Sequence, residues 1–142
     1  MSPLRRLHSS SPEETRAAGF KLATCLGPGS VVALFGRLGA GKTVFVQGLA
    51  SGLGIPEGWA KSPTFTLVRF YPSDPPFFHI DLYRIERLAA EELGWEEWEE
   101  GVAAIEWAEK MEGLLPPGTV RVTLEVRGET EREIMIESGD DA

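Results

Sequence analysis

The feature that most constrains this chain is a glycine-rich segment at residues 36–43. It reads Gly-Arg-Leu-Gly-Ala-Gly-Lys-Thr and matches the pattern G-x-x-x-x-G-K-[ST] in full. The run before it, Val31–Phe35, is short, apolar and rich in β-branched residues, which predicts a strand buried on both faces. After it, apolar side chains recur at helical spacing from Lys42 to about Ser51, and Gly52 would end that helix. The order of strand, glycine loop and helix predicts a phosphate-binding loop, or P-loop.

The chemistry of nucleotide binding explains this spacing. A polyphosphate needs several backbone N–H groups pointing into one concavity, and a glycine-rich turn at a helix N-terminus supplies them without steric strain. Lys42 would reach the β- and γ-phosphates, and the Thr43 hydroxyl would coordinate magnesium. We therefore predict ATP and Mg²⁺ as ligands. GTP is disfavoured, because an Asn-Lys-x-Asp loop reads guanine and this chain contains no asparagine. The nucleotide-binding residues predicted in the loop are Leu38, Gly39, Ala40, Gly41, Lys42, Thr43 and Val44.

A P-loop enzyme also needs an acidic side chain at the end of a neighbouring strand, which holds magnesium directly or through water. Glu106 follows four apolar residues and is the first candidate, although an ordinary solvated strand end gives the same pattern. Asp81 is the second candidate, with a surface aspartate paired to Arg84 as the alternative. Thr64 lies in the loop after the P-loop helix, either as a switch residue that senses the γ-phosphate or as part of a turn. The candidate catalytic residues are Lys42, Asp81, Glu106 and Thr64, and the candidate metal ligands are Thr43 and Glu106.

The remaining patterns predict a mixed sheet flanked by helices. Ser11-Pro12-Glu13-Glu14 reads as a capping box and predicts a helix that ends near Leu26. Residues 120–126 alternate strictly and predict a C-terminal hairpin with residues 131–137. The other predicted elements are antiparallel strands at 65–71 and 77–83, a helix at 88–100 interrupted at Gly94, a strand at Val102–Glu106, a short helix at 107–115 and a frayed tail at 138–142. We therefore predict one α/β domain over residues 1–142: a P-loop NTPase whose central sheet combines parallel core strands, antiparallel strands and this hairpin.

Composition limits the possible classes of function. Hydrophobic residues make up 42% and charged residues 25% of the 142 residues, which is typical of one globular domain. No apolar stretch approaches the roughly 20 residues that span a bilayer, so we expect a cytoplasmic protein without a membrane anchor. The net charge of -8 argues against a protein that grips DNA or RNA on its own. The single cysteine, Cys25, lies among apolar residues and is predicted to be a buried, inert thiol.

Four motifs follow one another along the chain: the P-loop, Ser62-Pro63-Thr64-Phe65-Thr66-Leu67-Val68, His79-Ile80-Asp81-Leu82-Tyr83-Arg84 and Ile105-Glu106-Trp107. Together they resemble the TsaE family, also called YjeE, over nearly the whole chain. The resemblance implies a role in making threonylcarbamoyladenosine at position 37 of tRNAs that read codons beginning with A. It implies an accessory ATPase that is weak alone, binds the TsaD-TsaB complex, hydrolyses ATP there and is required for repeated turnover. The protein would then meet tRNA only through these partners.

The resemblance also implies roles for residues of these motifs and of the first helix cap. They are phosphate binding by Lys42, magnesium binding by Thr43 and Glu106, support of hydrolysis by Asp81, contact with the nucleotide by Ser11, a switch role for Thr64 and packing beside the site for Trp107. Two positions depart from the family pattern. Arg37 replaces the usual aspartate of the loop, and Ala108 replaces the proline that usually follows Glu-Trp. The first departure reverses the local charge, so a family contact that depends on the aspartate carboxylate is not expected here.

Several alternatives stay open on sequence alone. A non-hydrolysing interaction module that only holds ATP would use the same cradle, whereas a small-molecule kinase would also need a substrate pocket and an arginine-rich lid. The arginine that neutralises transition-state charge is either one of this chain, namely Arg37, Arg69 or Arg84, or one supplied by a partner. Trp95 and Trp98 share a helix face, which predicts either core packing or a partner-docking surface.

Overall fold

A computed structural model describes residues 4–37, 39–56, 68–82, 98–111 and 113–137 of the chain. These ranges contain seven strands, two α-helices and one short 3₁₀ helix. In chain order they are β1 (Leu4–Ser9), α1 (Pro12–Ala23), β2 (Val31–Phe35), α2 (Lys42–Gly52), β3 (Val68–Tyr71), β4 (Phe77–Asp81), β5 (Val102–Glu106), the 3₁₀ helix (Ala108–Met111), β6 (Val120–Val126) and β7 (Arg132–Glu137).

The strands form one sheet in the order β1-β7-β6-β2-β5-β4-β3. The four inner strands β6, β2, β5 and β4 run parallel to one another, whereas β7, β1 and β3 pair antiparallel with their neighbours. The predicted mixed sheet is therefore confirmed, and its C-terminal hairpin joins the parallel core through β6. Because the inner strands are parallel, their carboxyl ends meet at one edge of the sheet. Glu106 lies there, opposite Leu34 of β2 and Asp81 of β4.

Helices α1 and α2 pack against each other over one face of the sheet, and their backbones touch at glycines. A Cβ atom at Gly19 would lie 2.1 Å from the carbonyl oxygen of Phe45, and one at Gly48 would lie 1.9 Å from that of Arg16. A larger residue would force the helices apart, so these glycines fix the position of α2, whose first turn continues the P-loop. The apolar core beneath the helices includes Val32, Leu34, Phe45, Leu49, Val122 and Leu124.

The opposite face of the sheet carries a second apolar cluster, in which Ile80 and Ile105 pack with Trp98. Trp98 is 3% exposed, so it belongs to the core and the docking interpretation is wrong for this residue. Trp95 lies outside the described residues. Neither helix in the described part of the chain is long and apolar enough to cross a bilayer.

Helix α1 ends earlier than the apolar pattern indicates. Its last residue is Ala23, because Thr24 caps it: the Thr24 hydroxyl donates to the Lys21 carbonyl oxygen at 2.7 Å. The chain then turns away, which leaves Cys25 exposed. The predicted buried thiol is therefore wrong, since the cysteine follows the helix instead of lying on its apolar face.

Other predicted elements differ in length from those observed. The predicted helix at 107–115 is only the 3₁₀ turn Ala108–Met111, and Gly113 beyond it adopts a φ of 92° that a helix does not allow. Glu99 and Glu100 lie in a turn, while most of the helix predicted at 88–100 and the tail at 138–142 fall outside the described residues. Strand β1 has no counterpart in the sequence analysis, because its six mostly polar residues are held by pairing with β7.

Candidate nucleotide-binding site

The glycine loop joins the end of β2 to the first turn of α2, as predicted. Its backbone has φ values of 147° at Gly36, 83° at Gly39 and 101° at Gly41, a region that residues with side chains rarely adopt. Gly41 is the N-cap of α2 and has no side chain that could cap it, and the first helical bond runs from the Phe45 N–H to the Gly41 carbonyl oxygen at 2.9 Å. The N–H groups of residues 42–44 therefore have no intrahelical acceptor and lie at the positive end of the helix, where an anion binds favourably.

Lys42 lies over this loop and is 5% exposed. Its ammonium group donates to the carbonyl oxygens of Gly36 and, at 3.3 Å, Arg37, and it lies 3.5 Å from the centroid of the Trp107 ring. Burial lowers the pKa of Lys42, and the negative charges of Glu109, Glu106 and Asp81 oppose that shift. Lys42 is thus a cation enclosed by protein, with the carboxylates of Glu109, Glu106 and Asp81 around it, beside a loop of backbone donors.

Glu106 is buried beside Thr43. The alternative interpretation of Glu106 as an ordinary solvated residue at a strand end is therefore wrong. The carboxylate is 3% exposed, and its two oxygens accept from the Thr43 hydroxyl at 3.0 and 3.2 Å. The Thr43 hydroxyl hydrogen points to Glu106, so the lone pairs of its oxygen remain for another partner. A hydroxyl oxygen beside a carboxylate is the donor set that magnesium prefers, since this ion binds hard oxygen ligands and keeps several of its waters. The residues present therefore fit a magnesium ion.

His79, to which no local sequence pattern assigned a role, supports Glu106 from the neighbouring strand. His79 is 1% exposed, and its Nε2 lies 2.6 Å from Oε2 of Glu106. Its other ring nitrogen, Nδ1, is buried without a hydrogen-bond partner among the described residues. A carboxylate only accepts, and a buried N–H without an acceptor is costly, so the hydrogen belongs on Nε2, which donates to Glu106. The signal in the sequence is the pattern His-x-Asp, which places His79 on the same strand face as Asp81.

Asp81 ends β4 directly opposite Glu106 in the strand register, and it is partly buried. The sheet therefore brings the two predicted carboxylates to the same edge as the P-loop, where Asp81 contributes to the negative potential at Lys42. Leu38, Thr64 and Arg84 lie outside the described residues.

Ser11 caps helix α1. Its hydroxyl oxygen accepts from the Glu14 N–H at 3.1 Å, and the Glu14 carboxylate accepts from the Ser10 N–H at 2.6 Å, one residue earlier than in the usual capping box. The capping prediction is thus confirmed. The contact with a nucleotide that the resemblance implies for Ser11 stays a prediction.

Three further residues at the loop escaped the sequence analysis or received only a packing role. Trp107 adopts a φ of 62°, which turns the chain directly after Glu106 and lays its indole over Lys42. Glu109 accepts from the Gly36 N–H at 3.2 Å. Arg132 donates to the carbonyl oxygens of Ala40 at 3.2 Å and Gly39 at 3.1 Å. The last two contacts join distant parts of the chain, so no local pattern indicates them.

Comparison with known sequences identifies the family. The sequence model described as "Threonylcarbamoyl adenosine biosynthesis protein TsaE" matches residues 9–134. The tRNA threonylcarbamoyladenosine biosynthesis protein TsaE of Bacillus subtilis is 42% identical over 127 residues, which cover 87% of this chain and 79% of that protein. The protein of the same name from Treponema pallidum is 42% identical over 134 residues, which cover 92% of this chain and 98% of that protein.

A solved structure gives the same result at the level of the fold. The crystal structure of Bacillus subtilis YdiB matches with a TM-score of 0.80 at 34% sequence identity, and the match covers 99% of this chain and 89% of that chain. The family match contains every described residue of the candidate site, from Ser11 to Arg132. The chain therefore belongs to the TsaE family of threonylcarbamoyl adenosine biosynthesis proteins.

Proposed function

We propose that this protein is a magnesium-dependent ATPase that acts in the threonylcarbamoyladenosine modification of position 37 in tRNAs reading codons that begin with A. The observation that carries the proposal is the convergence of Lys42, Thr43 and Glu106 at the N-terminus of α2. A buried cation, a row of helical N–H groups without an intrahelical acceptor and a pair of oxygens that fits magnesium are the parts that phosphoryl transfer requires.

Each of these residues would have a distinct task. Lys42 would exchange the Gly36 and Arg37 carbonyl oxygens for the β- and γ-phosphate oxygens, while the N–H groups of residues 42–44 bind the same phosphates. Thr43 and Glu106 would hold the magnesium ion, which supplies positive charge to the phosphate oxygens as the bond breaks. Asp81, one strand from Glu106, would orient the attacking water by accepting one of its hydrogens.

The partners are proposed from the family and from charge. The resemblance implies action on the TsaD-TsaB complex, and the relatives from Bacillus subtilis and Treponema pallidum carry names that refer to tRNA threonylcarbamoyladenosine biosynthesis. A net charge of -8 disfavours direct binding of tRNA, so the partners would hold it. As the resemblance implies, the protein would be a weak ATPase alone and would be stimulated by TsaD-TsaB in the cytoplasm.

A turnover assay tests the proposal. Phosphate release from ATP is measured for the protein alone and with TsaD, TsaB and tRNA, together with Mg·ATP affinity by calorimetry. We expect binding in both conditions and faster release with the partners. Lys42→Ala should lose both Mg·ATP binding and phosphate release. Lys21→Ala, at the exposed end of α1, should keep both. Binding without phosphate release in either condition would instead support a non-hydrolysing ATP-dependent interaction module, and absence of binding would refute the proposal.

A further inference from the structure

Arg132 connects the C-terminal hairpin to the P-loop. It is the first residue of β7, and its guanidinium group donates from Nε to the Ala40 carbonyl oxygen at 3.2 Å and from Nη2 to the Gly39 carbonyl oxygen at 3.1 Å. On its other side, Nη1 donates to the carbonyl oxygens of Gly128 at 3.0 Å and Glu131 at 2.9 Å, within the turn between β6 and β7. The guanidinium group is therefore fixed by the turn and presented to the loop as a rigid fork.

The direction of these bonds determines where the loop donors point. In a trans peptide unit the C=O and N–H groups point in opposite directions. Arg132 binds the carbonyl oxygens of Gly39 and Ala40, so the N–H groups of Ala40 and Gly41, which belong to the same peptide units, point away from the guanidinium group. The Ala40 N–H does point across the loop, where it donates to the Arg37 carbonyl oxygen at 3.1 Å.

The loop needs such an external contact, because its glycines do not fix their own conformation. Gly39 and Gly41 both adopt positive φ, and glycine loses more conformational freedom on ordering than any other residue. The hairpin also packs against the loop, through Leu124 of β6. A Cβ atom at Gly36 would lie 2.8 Å from the carbonyl oxygen of Leu124, and one at Gly41 would lie 3.6 Å from the Leu124 side chain. Strand β6 thus keeps the loop within reach of Arg132.

We propose that Arg132 is a positioning residue for phosphate binding: it holds two P-loop carbonyl groups so that the Gly41 N–H is set for a polyphosphate before it arrives, while the Ala40 N–H closes a turn onto the Arg37 carbonyl oxygen. The inference rests on the proposed function, since it requires that the loop binds a nucleotide. It adds that the C-terminal hairpin contributes to nucleotide affinity without touching the nucleotide.

The experiment compares Arg132→Ala and Arg132→Lys with Arg127→Ala, a matched control on the same hairpin. Arg127 is exposed and donates to the carboxylates of Glu125 at 2.6 Å and Glu133 at 3.2 Å, away from the loop. Mg·ATP affinity is measured by calorimetry, and the melting temperature is measured without ligand. Arg132→Ala should weaken affinity by about tenfold to a hundredfold, because two charge-assisted bonds that order the loop are lost. Arg132→Lys should lose less than alanine but stay weaker than wild type, because an ammonium group cannot fork to both carbonyls. Arg127→Ala should stay within about twofold of wild type.

If Arg132→Ala folds and binds Mg·ATP within about twofold of the wild-type affinity, the proposal is overturned. This holds even if the melting temperature falls, because Arg132 would then contribute to stability and not to nucleotide binding. If Arg132→Ala does not fold, the Mg·ATP affinity of Arg132→Lys decides instead. An affinity of Arg132→Lys equal to that of wild type would overturn the proposal, because it would mean that a positive charge is sufficient without the two-pronged guanidinium contact. A wild-type protein that fails to bind Mg·ATP would instead refute the proposed function itself.

Discussion

Replacing Glu106 with glutamine tests the proposed metal site with little change of shape. The carboxylate is buried, accepts from the Thr43 hydroxyl at 3.0 and 3.2 Å and lies 2.6 Å from His79 Nε2. Two donors therefore converge on one acceptor group. A glutamine amide has one acceptor oxygen and one donor NH₂ group, so it cannot accept both bonds in the same way. If its oxygen meets His79, its NH₂ group donates to the Thr43 oxygen and occupies the lone pair that magnesium would need.

The size of the effect follows from these contacts. Thr43 must first break its new bond to the amide before it can coordinate magnesium, which costs about 1 kcal/mol. The contact between the carboxylate and the magnesium ion would be lost as well. A contact to a charged group is more favourable in free energy than one to a neutral group by about 1 kcal/mol or more. The sum is at least about 2 kcal/mol, which corresponds to a rise of about thirtyfold in the magnesium concentration at half-saturation.

The assay is a magnesium titration of phosphate release, combined with calorimetry of ATP binding in the presence of a chelator. Metal-free ATP should bind Glu106→Gln no more weakly than wild type, because the variant has lost a negative charge near the phosphates. Glu109→Gln is the matched control, because Glu109 also faces Lys42 but is not one of the two proposed magnesium ligands, Thr43 and Glu106. Its carboxylate accepts from the Gly36 N–H at 3.2 Å, so its replacement should leave the magnesium half-saturation unchanged. Equal magnesium half-saturation for Glu106→Gln and wild type would refute the assignment of the metal site.

Three further expectations follow from the same structure. His79→Ala removes a donor from the buried Glu106 carboxylate and should lower stability by about 1–3 kcal/mol and raise the magnesium requirement; an unchanged magnesium titration would count against the support role. Gly48→Ala places a Cβ atom 1.9 Å from a backbone oxygen of α1 and should lower the free energy of unfolding by about 1–3 kcal/mol or more. Gly27→Ala is the control and should not lower it, because a Cβ atom at Gly27 would have no neighbour within 4 Å in the described part of the chain. Equal denaturation midpoints of the two variants would contradict the close helix contact. Because burial lowers the pKa of Lys42, the nucleotide-free protein loses that proton at lower pH than an exposed lysine does, so Mg·ATP binding at alkaline pH should take up protons and weaken as pH rises further; calorimetry in two buffers measures this uptake, and zero uptake would contradict it.

The parts of the fold that the sequence could predict are those coded by neighbouring residues. The glycine loop, the strand before it and the acid after Val102–Ile105 each occupy a contiguous segment, and parallel pairing then brings Glu106 to the loop. His79 was missed because its partner is set by the register between β4 and β5, which no local period reveals. Arg132 was missed for a similar reason, since its acceptors lie 92 and 93 positions away. Cys25 was assigned wrongly because one hydroxyl contact, from Thr24, ends the helix before the apolar pattern does.

The charges around Lys42 indicate which form of the nucleotide the site would accept. Among the described residues, Lys42 faces the carboxylates of Glu109, Glu106 and Asp81, so negative side-chain charge predominates around its ammonium group. A triphosphate without metal would add to that excess, and the carboxylates would repel it over the short distances within the sheet edge. Thr43 and Glu106 would hold a divalent cation, whose charge would attract both the carboxylates and the phosphates. The same carboxylates that oppose the lowering of the Lys42 pKa would therefore select the magnesium complex of ATP over free ATP, and binding of metal and nucleotide would be positively coupled.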